Sequence, residues 1–119
     1  MPEPKTYEGG CHCGKVRYAV TTDLATVIEC YCSICSKRAH MLTFVPTDRF
    51  ELRAGEGATT DYQFNHRVIH HRFCSTCGVG SYADGVGPDG KATVAINVRC
   101  LDGVDPAALT ITKFDGRSR

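Results

Sequence analysis

The residues best suited to chemistry in this 119-residue chain are its eight cysteines, which form three close groups and one isolated position. In chain order they are Cys11 and Cys13; Cys30, Cys32 and Cys35; Cys74 and Cys77; and Cys100. Cysteines two residues apart are too close to bridge each other without strain, which favours metal binding. The polar first ten residues lack the apolar segment of a signal peptide, so we expect a cytoplasmic protein with reduced thiols. Four disulfides in a secreted chain are the alternative.

Two of these groups are followed directly by glycine, in the patterns Cys11-x-Cys13-Gly14 and Cys74-x-x-Cys77-Gly78. A glycine after the last ligand permits the left-handed backbone that points amide N–H groups at sulfur. Four thiolates complete the closed tetrahedral shell of a structural zinc ion. The two groups are therefore predicted to hold one structural zinc together.

The middle group differs because it places three thiols, those of Cys30, Cys32 and Cys35, within six residues. Three protein ligands with a fourth position left open are typical of a reactive zinc. Alternatively, Cys100 completes a second closed site of four cysteines. The number of cysteines is compatible with both the open and the closed arrangement. Cys100 belongs to the apolar segment 95–101, which is predicted as a strand, and a lone cysteine there is more often a small buried hydrophobic residue.

Polar residues near these groups are weaker candidates for function. His40 follows the middle group and is a candidate general base. Lys37 and Arg38 are predicted either to neutralise the thiolates and bind a substrate carboxylate, or to be solvated loop residues. Histidines before the last group could bind zinc, although the thiols suffice without them: His66, His70 and His71.

The elements that must position these groups are short strands and turns, so the predicted class is all-β with little helix. Alternating, β-forming segments predict six strands: Lys15–Thr21, Met41–Val45, Thr60–Phe64, Val68–Phe73, Ala92–Val98 and Leu109–Phe114. One helical turn is predicted at Asp105–Leu109, with Asp105 as its N-cap. The pair Gly9-Gly10, the segments 55–57 and 84–90, and Asp102-Gly103 are predicted as turns or loops. We expect one domain over residues 1–119, with its core at about 7–117.

The charge of the chain argues against two classes of partner. The sequence contains fourteen Lys and Arg residues and thirteen Asp and Glu residues, so its formal charge is only +1. Without a basic patch, we expect no nucleic-acid partner. No apolar run approaches the roughly 20 residues needed to cross a bilayer, so we expect no membrane partner.

Three motifs together resemble the glutathione-dependent formaldehyde-activating family, which also includes the domain of centromere protein V. They are Gly9–Arg17 (GGCHCGKVR), Cys30–Cys35 (CYCSIC) and Phe73–Gly78 (FCSTCG), and the similarity extends from Tyr7 to Arg117. The resemblance implies a tent-like fold of small coiled antiparallel sheets with zinc-knuckle loops, and two zinc ions per chain. It assigns the structural zinc to Cys11, Cys13, Cys74 and Cys77, and the catalytic zinc to Cys30, Cys32 and Cys35.

The activity implied by the resemblance is that of a carbon–sulfur lyase. A thiol, glutathione or a similar molecule, would add reversibly to an aldehyde such as formaldehyde. This chain is shorter than the members known for acting on glutathione. The resemblance therefore predicts the type of reaction better than it predicts the substrate. The alternative function is a non-catalytic, zinc-ribbon-like binding module with two closed four-cysteine sites. The sequence leaves the oligomeric state open.

Overall fold

A computed structural model describes residues 4–24, 26–30, 37, 41–63, 69–86 and 90–114. Within these residues the chain is mostly β-strand and has no helix of seven or more residues, which confirms the predicted class. The strands are β1 (Lys5–Gly10), β2 (Arg17–Thr22), β3 (Val27–Cys30), β4 (Met41–Pro46), β5 (Phe50–Ala54), β6 (Thr59–Tyr62), β7 (His70–Cys74), β8 (Tyr82–Val86), β9 (Ala92–Asn97) and β10 (Ile111–Phe114). Short 3₁₀ helices occupy Thr47–Arg49, Val98–Cys100 and Pro106–Ala108. None of the helices in these ranges has the length and apolar character to cross a bilayer.

The strands form two sheets, one of three strands in the order β1-β2-β5 and one of seven in the order β10-β3-β4-β9-β8-β7-β6. Neighbours run antiparallel except β3 and β10, which pair in parallel from Val27 beside Ile111 to Cys30 beside Phe114. The expectation of antiparallel sheets was therefore wrong for this pair. A parallel pair needs a long crossover connection, and here most of the large sheet lies between the two strands in sequence.

Three aromatic rings join the two sheets. Tyr18 of β2 and Phe50 of β5 come from the small sheet, and Tyr82 of β8 from the large one; their centroids lie 4.9 to 5.8 Å apart. Buried aliphatic residues from both sheets belong to the same core, including Val20 of β2 and Ile96 of β9. Aromatic pairs at this separation stabilise a core beyond the area they bury. The small sheet therefore packs against one face of the large sheet.

The Tyr18 hydroxyl provides a polar link within this core. Its Oη donates to the Ser81 carbonyl oxygen at 3.1 Å, and the tyrosine is only 1% exposed. Burial raises the pKa of Tyr18, with a further contribution from the nearby Cys100 thiol, so the hydroxyl remains a donor at neutral pH. This hydrogen bond ties β2 to the residue that precedes β8.

Tyr18→Phe should therefore lower the free energy of unfolding by about 1–2 kcal/mol, because the buried Ser81 carbonyl loses its donor while the ring remains. Chemical denaturation monitored by circular dichroism measures the change. Tyr7→Phe is the matched control, since it removes the same atom from a half-buried residue on the edge strand β1. The control should shift the free energy by no more than about 0.5 kcal/mol. Equal effects of the two substitutions would contradict the role of the Tyr18 hydroxyl.

The predicted strands are confirmed wherever the structure describes them. Each of the six coincides with a strand to within two residues at its described ends: β2, β4, β6, β7, β9 and β10. Phe64 and Val68, at the ends of two of the predictions, lie outside the described residues. The predicted helical turn is a 3₁₀ turn at Pro106–Ala108, and Asp105 caps it by accepting from the Ala107 amide at 3.0 Å.

Three local predictions were wrong. The segment 84–90 begins within β8, because Asp84 forms an ion pair with Arg72 of the neighbouring strand β7.

The pair Gly9-Gly10 ends β1 instead of forming a turn. A Cβ at Gly9 would lie 2.7 Å from the Cys100 carbonyl oxygen, so the absence of a side chain serves close packing. The predicted strand around Cys100 stops at Asn97, whose side chain accepts from the Arg99 amide and begins a 3₁₀ turn.

Candidate metal centre

Four cysteines from two segments far apart in sequence meet at one side of the two sheets. Cys11 and Cys13 lie in the connection between β1 and β2, whereas Cys74 ends β7 and Cys77 follows in the next turn. Their four Sγ atoms all lie within 4.8 Å of one another. The structure therefore brings together the four residues that the two glycine-followed patterns predicted as one site.

The separation of the sulfur atoms fits a metal ion and excludes disulfides. Sγ of Cys13 lies 3.6 Å from that of Cys11 and 3.6 Å from that of Cys74, and none of the four cysteines is in a disulfide. A disulfide requires about 2.05 Å. Four thiolates at about 2.3 Å from a tetrahedral zinc would lie about 3.8 Å apart, close to the distances found. The cluster can hold one metal ion of this kind.

The backbone around the cluster has the hydrogen bonds expected of zinc knuckles. Gly14 and Gly78 have φ of +85° and +79°, which confirms the left-handed conformation predicted for the residue after each pair. The Val16 amide donates to Cys11 Sγ at 3.3 Å, and the Thr76 amide donates to Cys74 Sγ at 3.4 Å. Donors aimed at sulfur stabilise the thiolate form that a metal ion requires.

Two of the four thiols, Cys13 and Cys77, have pKa values shifted in opposite directions. Hydrogen bonds from the Val79 and Cys13 amides lower the pKa of Cys77 to about 6. The Lys15 amide lowers the pKa of Cys13, but partial desolvation and hydrogen bonds with the neighbouring thiols outweigh it and raise the value to about 11. Adjacent thiolates repel each other, so some of the sulfurs keep their protons. A divalent cation removes that repulsion and allows all four to ionise.

The cluster lies at the protein surface, with a buried and an exposed half. Cys11 and Cys74 are buried, Cys77 is half-buried, and Cys13 is exposed. Across the cluster, Lys15 Nζ donates to Thr76 Oγ1 at 3.1 Å and connects the two knuckles. The site therefore links the β1–β2 connection to the end of β7, two segments that are far apart in sequence.

The middle group is largely outside the described residues. The backbone of Cys30 ends β3, beside Phe114 of β10. Cys32 and Cys35 lie outside the described residues, as do the candidate residues Arg38 and His40. Lys37 is exposed. The roles assigned to these residues therefore remain predictions.

The described histidines do not form a metal site. Nδ1 of His70 lies 2.6 Å from Asp61 Oδ2. His71 is buried and, as the next residue of β7, faces the other side of the strand. His66 lies outside the described residues. Among the residues that the structure describes, the group that could hold a metal ion consists of four cysteines.

Cys100 lies beside the four-cysteine cluster, a proximity that its sequence position did not indicate. It is half-buried at the end of the 3₁₀ turn Val98–Cys100. Burial raises its pKa to about 11, with further contributions from Cys11 and Cys77, although its sulfur is not one of the four grouped together. The contact between β1 and the backbone at Leu101 produces this proximity.

The fold and the cluster define a class of protein: an all-β protein with a four-cysteine site that can hold a metal ion. The chain belongs to the family of the glutathione-dependent formaldehyde-activating enzyme, whose family model matches residues 6–114. It is also similar to a Rhodobacter sphaeroides protein of known crystal structure, with 30% sequence identity and a TM-score of 0.79. That similarity covers 89% of this chain and 97% of the other. These comparisons confirm the family resemblance.

Proposed function

We propose that the protein is a zinc-dependent carbon–sulfur lyase of the glutathione-dependent formaldehyde-activating type. Its substrates are a small thiol, glutathione or a similar molecule, and an aldehyde. The observation that carries this proposal is the family match over residues 6–114, a range that includes all seven clustered cysteines. The four-cysteine cluster supports it, because its geometry suits the structural zinc that the proposal requires.

In this proposal the two cysteine sites have different tasks. Cys11, Cys13, Cys74 and Cys77 hold a structural zinc, and the middle group, Cys30, Cys32 and Cys35, holds a catalytic zinc with an open fourth position. Zinc held by three thiolates supplies a position at which a coordinating thiol loses its proton. In the net reaction the thiol sulfur bonds to the carbonyl carbon and the carbonyl oxygen gains a proton; the reverse reaction breaks the carbon–sulfur bond.

Residues that follow the middle group in sequence have supporting roles in the proposal. Lys37, which is exposed, and Arg38 would attract a substrate carboxylate and offset the negative charge of the thiolates. His40 would accept the thiol proton. The proposal leaves Cys100, which is half-buried after β9, out of the catalytic site.

The remaining expectations are part of the same proposal. A formal charge of +1 and the absence of a basic patch in the sequence support a protein without a nucleic-acid partner. The cysteine-rich sites suit a reducing compartment, so we propose a cytoplasmic location. The working partners are then small molecules, and the protein functions without a membrane.

The purified protein should contain two zinc ions per chain, because seven clustered thiols provide one site of four ligands and one of three. Elemental analysis with mass spectrometry under native conditions measures the ratio and the state of the thiols. Seven of the eight thiols should resist alkylation until a chelator is added. A protein with one zinc or none, and with intact disulfides, would contradict the proposal.

The activity itself is testable by NMR exchange spectroscopy. The protein should accelerate exchange between the aldehyde adduct of one thiol and its free components by at least about 100-fold, a modest effect for positioned proton transfer. The screen pairs formaldehyde with glutathione, cysteine and other small thiols, and apo-protein prepared with a chelator is the control. Exchange at the uncatalysed rate for every pair would favour the binding module with two closed sites.

A further inference from the structure

A cavity of about 550 Å³ lies between the two sheets, and one of its lining residues, Thr59, pairs with Cys74 of the four-cysteine cluster. Phe50 and Leu52 of β5 form its apolar side, and Tyr82 of β8 lies against Phe50. Arg72 and Asp84, on β7 and β8, form its charged side. Its size is within the range of small-molecule sites, which are concave and mostly apolar with a few polar groups. Among the described residues that line it there is no cysteine.

The cavity is distant from the end of β3, which carries Cys30, the member of the middle cysteine group whose backbone the structure describes. β3, which ends at Cys30, pairs with β4 at Met41, where β4 begins. The cavity is lined by Thr93, which pairs with Pro46 at the other end of β4. Five residues of strand separate the two points by roughly 16 Å. The cavity therefore lies away from the end of β3, where the described part of the middle cysteine group is found.

The charges that line the cavity leave an excess of carboxylate. Arg72 is engaged by Asp84, with Nε to Oδ1 at 2.5 Å and Nη2 to Oδ2 at 3.4 Å, so its positive charge is compensated. Glu56 adds a second carboxylate at the rim. His70 also lines the cavity, and Asp61 balances its charge when it is protonated. One guanidinium against two carboxylates gives this lining a formal charge of −1 when His70 is neutral.

Aromatic residues and unbalanced carboxylate together are the features that recognise organic cations. We propose that the cavity is a second small-molecule site, which binds an amine with an apolar body. The apolar part packs against Phe50, Leu52 and Tyr82, and the ammonium group lies towards Glu56, since Asp84 is already paired with Arg72. An anion of the same shape is repelled by Glu56, because Arg72 is already paired with Asp84. The neutral analogue has the same packing without the charge interaction and has intermediate affinity.

Titrations followed by ¹H–¹⁵N NMR test the proposal with three probes of similar shape: phenethylamine, 2-phenylethanol and 3-phenylpropionate. Phenethylamine should shift the amides of Thr59, Arg72, Asp84 and Thr93, whose residues line the cavity. It should bind at least about two-fold more tightly than the alcohol, and the carboxylate should bind most weakly. Absence of shifts at the cavity, or the reverse order of affinity, would overturn the proposal.

Two variants test whether charge determines the order. Glu56→Gln should weaken phenethylamine binding about two- to five-fold. Glu51→Gln is the matched control, because this glutamate is on β5, five residues before Glu56, is 73% exposed and does not line the cavity. Asp84→Asn should release Arg72 and shift the preference towards 3-phenylpropionate, provided that its NMR spectrum shows a folded protein. If Glu56→Gln and Glu51→Gln have equal effects, the cavity does not select cations.

Discussion

Cys74→Ser should abolish the stable fold. Cys74 is 1% exposed, ends β7 and contributes one of the four sulfurs that connect this strand to the β1–β2 connection. In the proposed function this cluster holds a structural zinc, and such sites contribute about 10–16 kcal/mol of apparent binding free energy to folding. This binding free energy is as large as the free energy of unfolding of a typical domain, about 5–15 kcal/mol, or larger. The variant should therefore be insoluble or lack fixed tertiary structure.

Near-UV circular dichroism and dispersion of the NMR spectrum measure this outcome, and elemental analysis gives the zinc content of any soluble fraction. Thr76→Ser is the matched control, since it changes a residue of the same knuckle while keeping the hydroxyl that accepts from Lys15. The control should fold and keep its zinc. A folded Cys74→Ser protein that has lost one zinc ion would show that the fold does not depend on this cluster.

The four-cysteine cluster could be predicted because its signal is local. The spacing of each pair and the glycine that follows it determine the geometry of one knuckle, and Gly14 and Gly78 adopt the expected positive φ. Because tetrahedral coordination needs four thiolates, two such pairs predict one shared site without knowledge of the fold. The six alternating strands could be predicted for the same reason, since period-two alternation is a property of the strand itself.

Features that depend on tertiary contacts could not be predicted. Asp84 and Gly85 are poor strand formers, yet β8 includes both because it pairs with β7 and β9 and Arg72 binds Asp84. The parallel pairing of β3 with β10 joins segments that are far apart in sequence. The position of Cys100 beside the cluster depends on the close approach of Gly9 to the chain at Leu101. None of these contacts leaves a periodic pattern.

Cys32→Ser should abolish activity while leaving the fold intact, the opposite of the result expected for Cys74→Ser. In the proposed function Cys32 belongs to the catalytic site, whereas the other cluster continues to connect the strands. The variant should contain one zinc ion instead of two, with an unchanged near-UV spectrum. Its rate of adduct exchange should fall to that of the uncatalysed reaction, since no thiol is activated. Unfolding of this variant would show that the middle group is structural.

Cys100→Ser completes the test, because it distinguishes an open catalytic site from a second closed site. If the fourth position of the middle site is open, this variant should keep both zinc ions and its activity. The half-buried Cys100 side chain loses only a modest packing contribution on substitution, about 1 kcal/mol. The wild-type protein should then bind glutathione at the middle site more tightly as pH rises, since coordination releases the thiol proton. Loss of one zinc ion from Cys100→Ser, together with no binding of glutathione or cysteine to the wild type, would refute the lyase and favour the binding module.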